Sequence, residues 1–271
     1  MRSKIYDSLN KLKNIQPLVH NITNQVVMNN TANALLAIGA SPIMAHAPEE
    51  MADMVSIANS LVINTGTITS GTFDSMLLAV QAANQYNKPW VLDPVGAGAT
   101  PFRLINNCEL LKHCPAVVRG NASEIASLFT GNASGKGVDS DSSSETTLDF
   151  LQRKATEHNV VIAVTGATDY MTDGQQLIQL NNGHPMMAKV TGVGCTATAL
   201  IGAFLAVSET PLIATVSALA CLGIAGELAS KDCPGPGSLQ LRILDELYQL
   251  DQTKVQRQLK LSQMPIVKKC P

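Results

Sequence analysis

Apolar residues along the chain come in two rhythms. Short runs such as "PLVHNI", "SPIMA", "SLVINTG", "KPWVLDP", "AVVRGN" and "VVIAVTG" each end in or near Gly, Asn, Asp or Thr. They are apolar throughout, as strands covered on both faces are. Between them lie "VVMNNTANALLAIG", "PEEMADMVSIAN", "GTFDSMLLAVQAANQYN", "FRLINNCELLKH" and "ASEIASLF", whose apolar positions recur with helical spacing. Strand and helix alternate, which predicts a parallel sheet with helices on both faces. A first helix is marked by Ile5, Leu9 and Leu12.

The second half changes rhythm. "QQLIQLNNGHPMMAKV" predicts one or two extra strands around an Asn-Asn-Gly turn. Two strongly apolar helices follow, "CTATALIGAFLAVS" and "PLIATVSALACLGIAGELAS", then an amphipathic one, "GSLQLRILDELYQL". The Ser-rich stretch "GNASGKGVDSDSSSET" reads as a surface loop, and the tail after Leu250 as weakly packed. With no repeat and no linker, residues 1–271 are expected to form one α/β domain.

Composition narrows the functional classes. Hydrophobic residues are 45% and aromatics 4%, so the core must be aliphatic. A net charge of −2 argues against a nucleic-acid or anionic-membrane surface. No apolar run reads as long enough to span a bilayer, and the N-terminus lacks a continuous apolar signal region. A cytoplasmic protein is the expectation. The cysteines at 108, 114, 195, 221, 233 and 270 include no CxxC pair, so neither zinc nor a disulfide framework is indicated.

Ligands of parallel α/β sheets bind beyond the carboxyl ends of the strands. Four strand ends in succession carry polar and small residues: Asn64-Thr65-Gly66-Thr67, Asp93-Pro94-Val95-Gly96, Arg119-Gly120-Asn121 with Glu124, and Thr165-Gly166. Asp93 and Glu124 could hold a hydrated Mg²⁺. Equally, Asp93 could open an Asp-Pro turn, and Glu124 could complete a capping box with Asn121. Arg119 could pair with a phosphate or with a surface carboxylate. His20, His46 and Met44 read as packing or hydrogen-bonding residues at strand ends. "GKG" at 135–137 lacks the P-loop spacing, no GxGxxG opens an early helix, and there is no nucleophile elbow.

The segment "VTGVGCTATALIGAF" is the most telling. A glycine-rich turn at a helix start aims backbone N–H groups at one spot and forms an anion hole. Such a hole stabilises a phosphoryl group in transfer. Cys195 falls in the first turn, where the dipole lowers a thiol's pKa and a thiolate could act as general base. A small buried cysteine between tight glycines is the plainer alternative.

These residues resemble the hydroxyethylthiazole kinase family, thiamin-salvage enzymes with the ribokinase-like fold. The resemblance runs from about Pro17 to Leu250 through "PLVHNITNQVVMNNTANALLAIGASPIMAHAPEEM", "LVINTGT", "WVLDPVGAGAT", "VVRGNASEI", "VTGATDYMTDG", "VTGVGCTATALIGAF" and "GPGS". It implies ATP-dependent phosphorylation of the hydroxyl of 4-methyl-5-(2-hydroxyethyl)thiazole, with Mg²⁺. Most of the wider ribokinase-like group has Asp as base in the late glycine-rich turn; this family has Cys, and Cys195 matches it. By the same carry-over Arg119, Thr165 and Gly194 are the ATP contacts and Asp93 and Glu124 the acidic pair near Mg²⁺. Met44 and Gly192 match thiazole contacts, with Asn24 and Gly66 in segments lining that pocket. A homotrimer with sites between subunits is also implied. The departures are Val193 in the turn, the Ser-rich loop at 138–144 and the tail after 250. A kinase for another alcohol and a catalytically silent thiazole or nucleotide sensor are the rival readings.

Overall fold

The computed structural model describes residues 1–132 and 145–265. The loop reading at 138–144, the "GKG" at 135–137 and Cys270 lie outside the described residues. The strands are β1 (Leu18–Ile22), β2 (Ser41–Ile43), β3 (Ser60–Asn64), β4 (Trp90–Asp93), β5 (Val117–Gly120), β6 (Val161–Val164), β7 (Asp169–Thr172), β8 (Leu177–Leu180) and β9 (Leu261–Met264). They form a nine-stranded sheet in the order β2-β1-β3-β4-β5-β6-β7-β8-β9. The pairs from β2 to β6 are parallel, and β6–β7, β7–β8 and β8–β9 are antiparallel.

The helices are α1 (Arg2–Ile15), α2 (Met28–Ile38), α3 (Met51–Ile57), α4 (Ser70–Gln85), α5 (Pro101–Leu111), α6 (Ala122–Thr130), α7 (Glu145–His158), α8 (Val193–Leu205), α9 (Pro211–Ala229), α10 (Pro236–Tyr248) and α11 (Gln252–Gln258). Strand residues alternate between two cores. Val62, Val91, Val117, Val161 and Ala163 pack with α1, α2 and α8–α11. Leu61, Ile63, Trp90, Leu92, Val118, Ile162 and Val164 pack with α3–α7. Caps set several helix starts. Thr69 and Asn121 form capping boxes, and Thr100 and Thr210 cap helices whose first residue is proline.

Four expectations need correction. The hairpin is β7–β8, turning at Asp173-Gly174 where Gly174 has φ +86°; Asn181-Asn182-Gly183 instead leads from β8 into a short 3₁₀ helix at Pro185–Lys189. The tail is not loose between 251 and 265. Val255 and Leu259 are buried in the first core, and β9 pairs with β8. The run Pro211–Ala229 is long and apolar enough to cross a bilayer, with mean hydropathy 1.9, but 89% of that window is buried inside the fold. His20 lies within β1, fully buried, with Nε2 3.0 Å from the Ala45 carbonyl oxygen.

The chain runs from β1 outward to the edge strand β2, then returns to the other side of β1 as β3. The order therefore reverses between β1 and β3, which leaves a crevice at their carboxyl ends.

Candidate active site

Asn64 and Asp93 are the last residues of β3 and β4 and lie side by side in the register. Asn64 Nδ2 donates to Asp93 Oδ2 at 2.6 Å, and Thr198 Oγ1 on α8 donates to the same oxygen at 2.8 Å. The Arg119 guanidinium is 3.7 Å away. Asp93 is 1% exposed, and its Oδ1 is buried without a hydrogen-bond partner. Burial pushes its carboxyl pKa up to about 6. Arg119 opposes the shift, Glu124 adds to it, and the Thr198 and Asn64 hydrogen bonds oppose it.

From the crevice side, Asn24 Nδ2 donates to Asn64 Oδ1 at 2.9 Å and to Cys195 Sγ at 3.3 Å. Gly66 N–H also donates to Asn64 Oδ1, at 3.0 Å. A Cβ at Gly66 would stand 2.8 Å from Asn24, so this approach requires glycine. An aspartate, two asparagines and a thiol thus form one buried polar chain, with each amide orientation set by its neighbours.

Cys195 stands in the first turn of α8, as its position predicts. Its pKa does not follow the dipole expectation. Burial, then the Asp93 charge, push the thiol up; the hydrogen bonds of Asn24 and Asn64 and the Arg119 charge only partly offset this. Desolvation outweighs the helix dipole here.

Gly192 caps α8 with φ +86°. A Cβ at Gly194 would meet Arg119 Nη1 at 2.9 Å, so the guanidinium lies directly on this turn. Arg119 Nη2 also donates to Thr165 Oγ1, while its Nε is buried with no partner. Two positive ends, a helix N-terminus and a guanidinium, therefore face one place. They repel each other unless an anion sits between them.

Two cavities lie on either side of this polar chain. One of about 260 Å³ is lined by residues including Thr23, Gln25, His46, Asn64 and Thr67. The other, about 710 Å³, includes Arg119, Thr165, Asp169, Gly192, Gly194 and Leu222. Cys195 follows Gly194 of the larger cavity and accepts from Asn24, which also donates to Asn64 of the smaller one.

Two of the expected residues also make structural contacts. Met44 packs its side chain against the first core and is absent from both linings. Glu124 serves as the capping-box residue. Its Oε2 accepts from Asn121 N–H and its Oε1 from Gly96 N–H, both at 2.9 Å. Among the described residues no group of three or more His, Cys, Asp or Glu could hold a metal ion. The unpartnered Asp93 Oδ1 and the nearby Glu124 fit a mostly hydrated Mg²⁺ arriving with phosphates, which needs only one or two carboxylates.

Three contributors went unrecognised in the sequence. Thr198 lies one turn beyond Cys195, a spacing that puts both on one helix face. Arg103 donates to the Thr65, Val95 and Gly66 carbonyl oxygens, tying two strand-end loops together. Asp169 lines the larger cavity, and burial raises its pKa to about 6, opposed by the Gly166 N–H hydrogen bond and by Arg119.

Comparison with known proteins identifies the family. The model of the hydroxyethylthiazole kinase family matches residues 9–253. The hydroxyethylthiazole kinase of Photobacterium profundum is 51% identical, over 95% of this chain and 93% of its own. That of Granulibacter bethesdensis is 54% identical, over 90% and 89%. The hydroxyethylthiazole kinase structure from Pyrococcus horikoshii superposes with a TM-score of 0.90 at 44% identity, covering 96% of this chain and 99% of that one. A pyridoxal kinase from Staphylococcus aureus, at 17% identity and TM-score 0.62, shares the fold alone, over 78% of this chain and 88% of its own. The chain belongs to the hydroxyethylthiazole kinase family and has the ribokinase-like fold.

Proposed function

We infer that the protein transfers the γ-phosphoryl group of ATP to the primary hydroxyl of 4-methyl-5-(2-hydroxyethyl)thiazole. The hydrogen-bond chain Asn64–Asn24–Cys195 carries this reading, since it links the smaller cavity to the glycine-rich turn of the larger one and would bring a small alcohol and a nucleotide to one anion-binding turn. In this assignment Gly192 and Gly194 stabilise the transferring group through backbone N–H groups. Arg119 and Thr165 hold the phosphates from the other side. Asn24 and Gly66 border the alcohol, and Met44 is assigned a thiazole contact by the family resemblance alone. Asp93 and Glu124 would hold Mg²⁺, which neutralises phosphate charge when bound. A cytoplasmic homotrimer completes the proposal.

The test is ATP-dependent ADP release with hydroxyethylthiazole, hydroxymethylpyrimidine, ribose and pyridoxal as acceptors. Release with the thiazole alone is expected. Release only with another alcohol would move the activity to a sister kinase, and binding without release would point to a sensor.

Cys195 is assigned the hydroxyl proton. As the new O–P bond forms and the bond to ADP breaks, that proton passes to the sulfur. Because the thiol pKa is raised, activity should climb with pH through neutrality as the thiolate fraction grows. Cys195→Ala should keep ATP binding, lose this slope and lose about 10²-fold in kcat, the low end for a general base because the transition state is loose. A loss below about threefold would refute the base role and leave the turn as the main catalyst.

A further inference from the structure

Glu227 lies on α9, with its side chain 12% exposed, and no step above uses it. Its Oε1 accepts three hydrogen bonds: from Gly183 N–H at 2.9 Å, Asn182 Nδ2 at 3.2 Å and Lys260 Nζ at 2.9 Å. Asn182 extends the knot. Its Nδ2 also donates to the Gln258 carbonyl oxygen at 2.8 Å, and its Oδ1 accepts Lys260 N–H at 2.8 Å. Asn181 N–H donates to the Lys260 carbonyl oxygen at 2.9 Å.

Asn182 and Gly183, with His184, Pro185 and Met187, form one wall of the larger cavity. α9 is shaped to seat that wall. A Cβ at Gly223 would lie 2.8 Å from Asn182 Cβ, and one at Gly226 would overlap the Met187 sulfur. Backbone is therefore pressed against helix at Gly223, and one carboxylate a turn later satisfies the wall's N–H groups. Lys260 is 56% exposed, so its ion pair contributes little, and the weight falls on the bonds to Gly183 and Asn182.

We propose that Glu227 is a positioning residue for the nucleotide, holding the 182–187 wall in place and tying it to residues 258–260. This rests on the larger cavity being the ATP site. Glu227 touches no reacting atom. Its loss should therefore weaken nucleotide binding and spare the chemistry at Cys195.

The experiment uses the full chain in steady-state kinetics, varying ATP and hydroxyethylthiazole separately. Glu227→Ala should raise KM for ATP about tenfold, the loss expected for hydrogen bonds to a charged acceptor, with kcat and the thiazole KM within about twofold. Glu227→Gln keeps an acceptor at Oε1 and should recover most of the ATP KM. Amide exchange at Gly183 is expected to slow when ADP binds the unsubstituted protein, and to slow less in Glu227→Gln. An unchanged ATP KM in a folded Glu227→Ala overturns the proposal. So does a common fall of kcat with a rise of both KM values in Glu227→Ala and Glu227→Gln, which marks a purely structural role. If Glu227→Ala does not fold, unaltered ATP KM and Gly183 exchange in Glu227→Gln overturn it as well. Absence of ATP-dependent turnover in the unsubstituted protein would instead remove the kinase reading, and the proposal with it.

Discussion

Asp93→Asn is expected to lower kcat by about 10²–10³-fold, the range for removing one electrostatic group aimed at the transition state. An asparagine oxygen can still accept from Asn64 and Thr198, so the geometry persists while the charge disappears. That charge faces Arg119 and is the carboxylate proposed to hold Mg²⁺. The same substitution has a second, independent signature. In the folded protein the Asp93 pKa is about 6, against an ordinary 3.8. Between those values the native state binds more protons than the unfolded chain. Stability from this group therefore falls as pH rises from about 4 to about 6 and stays low above. Integrated over that window, the loss is on the order of 3 kcal/mol. An amide at this position does not titrate, so the variant should gain relative to the parent as pH rises through the window. Urea unfolding at pH 4.5 and pH 7 measures the difference of slopes, free of any constant cost from leaving Arg119 unpaired. Parallel pH profiles would show that Asp93 is not held protonated by its burial.

Gly192→Ala is expected to damage both fold and turnover. The residue has φ +86°, and its Cβ would stand 2.5 Å from Val27 Cγ1. The left-handed backbone costs about 1–2 kcal/mol and the overpacking about 1–3 kcal/mol more. If the turn relaxes to negative φ, its N–H groups no longer converge, and kcat/KM should fall about 10²–10³-fold. Gly131→Ala is the control. Gly131 has φ +72° at the end of α6, with nothing within 4 Å of a Cβ. It should share the backbone cost and leave kcat unchanged. Equal stability losses in the two variants with normal kcat in both would remove the anion turn from the mechanism.

The sequence made the parallel half of the fold legible because each unit there is local. An apolar run, a polar strand end and a capped helix announce themselves within about thirty residues. Cys195, Arg119, Thr165 and Gly194 were found the same way, as strand ends or a helix start. β9 was not, because "LSQM" has no apolar rhythm and is a strand only by pairing with β8, some eighty residues earlier. β7 was hidden similarly, its signal confined to Tyr170 and Met171. α7 did carry a signal, Leu148, Leu151 and Ala155 at helical spacing, masked by the Ser-rich stretch before it. The thiol pKa could not be read from position alone, since burial and Asp93 are contributed by other strands.

The nine-stranded sheet ends in two short rims. β2 has three residues, and the middle one, Pro42, has no N–H to donate. β9 has four residues, exposes Ser262 and Gln263, and is followed by Pro265. Long apolar rims recruit foreign strands, and these two are built to refuse them. The cover matters most at β8, whose Leu177, Ile178 and Leu180 are buried. A chain cut before Leu261 would present that strand bare, with its apolar residues beside an open ladder. Such a truncated chain is therefore expected to aggregate at the side of the sheet farthest from β2.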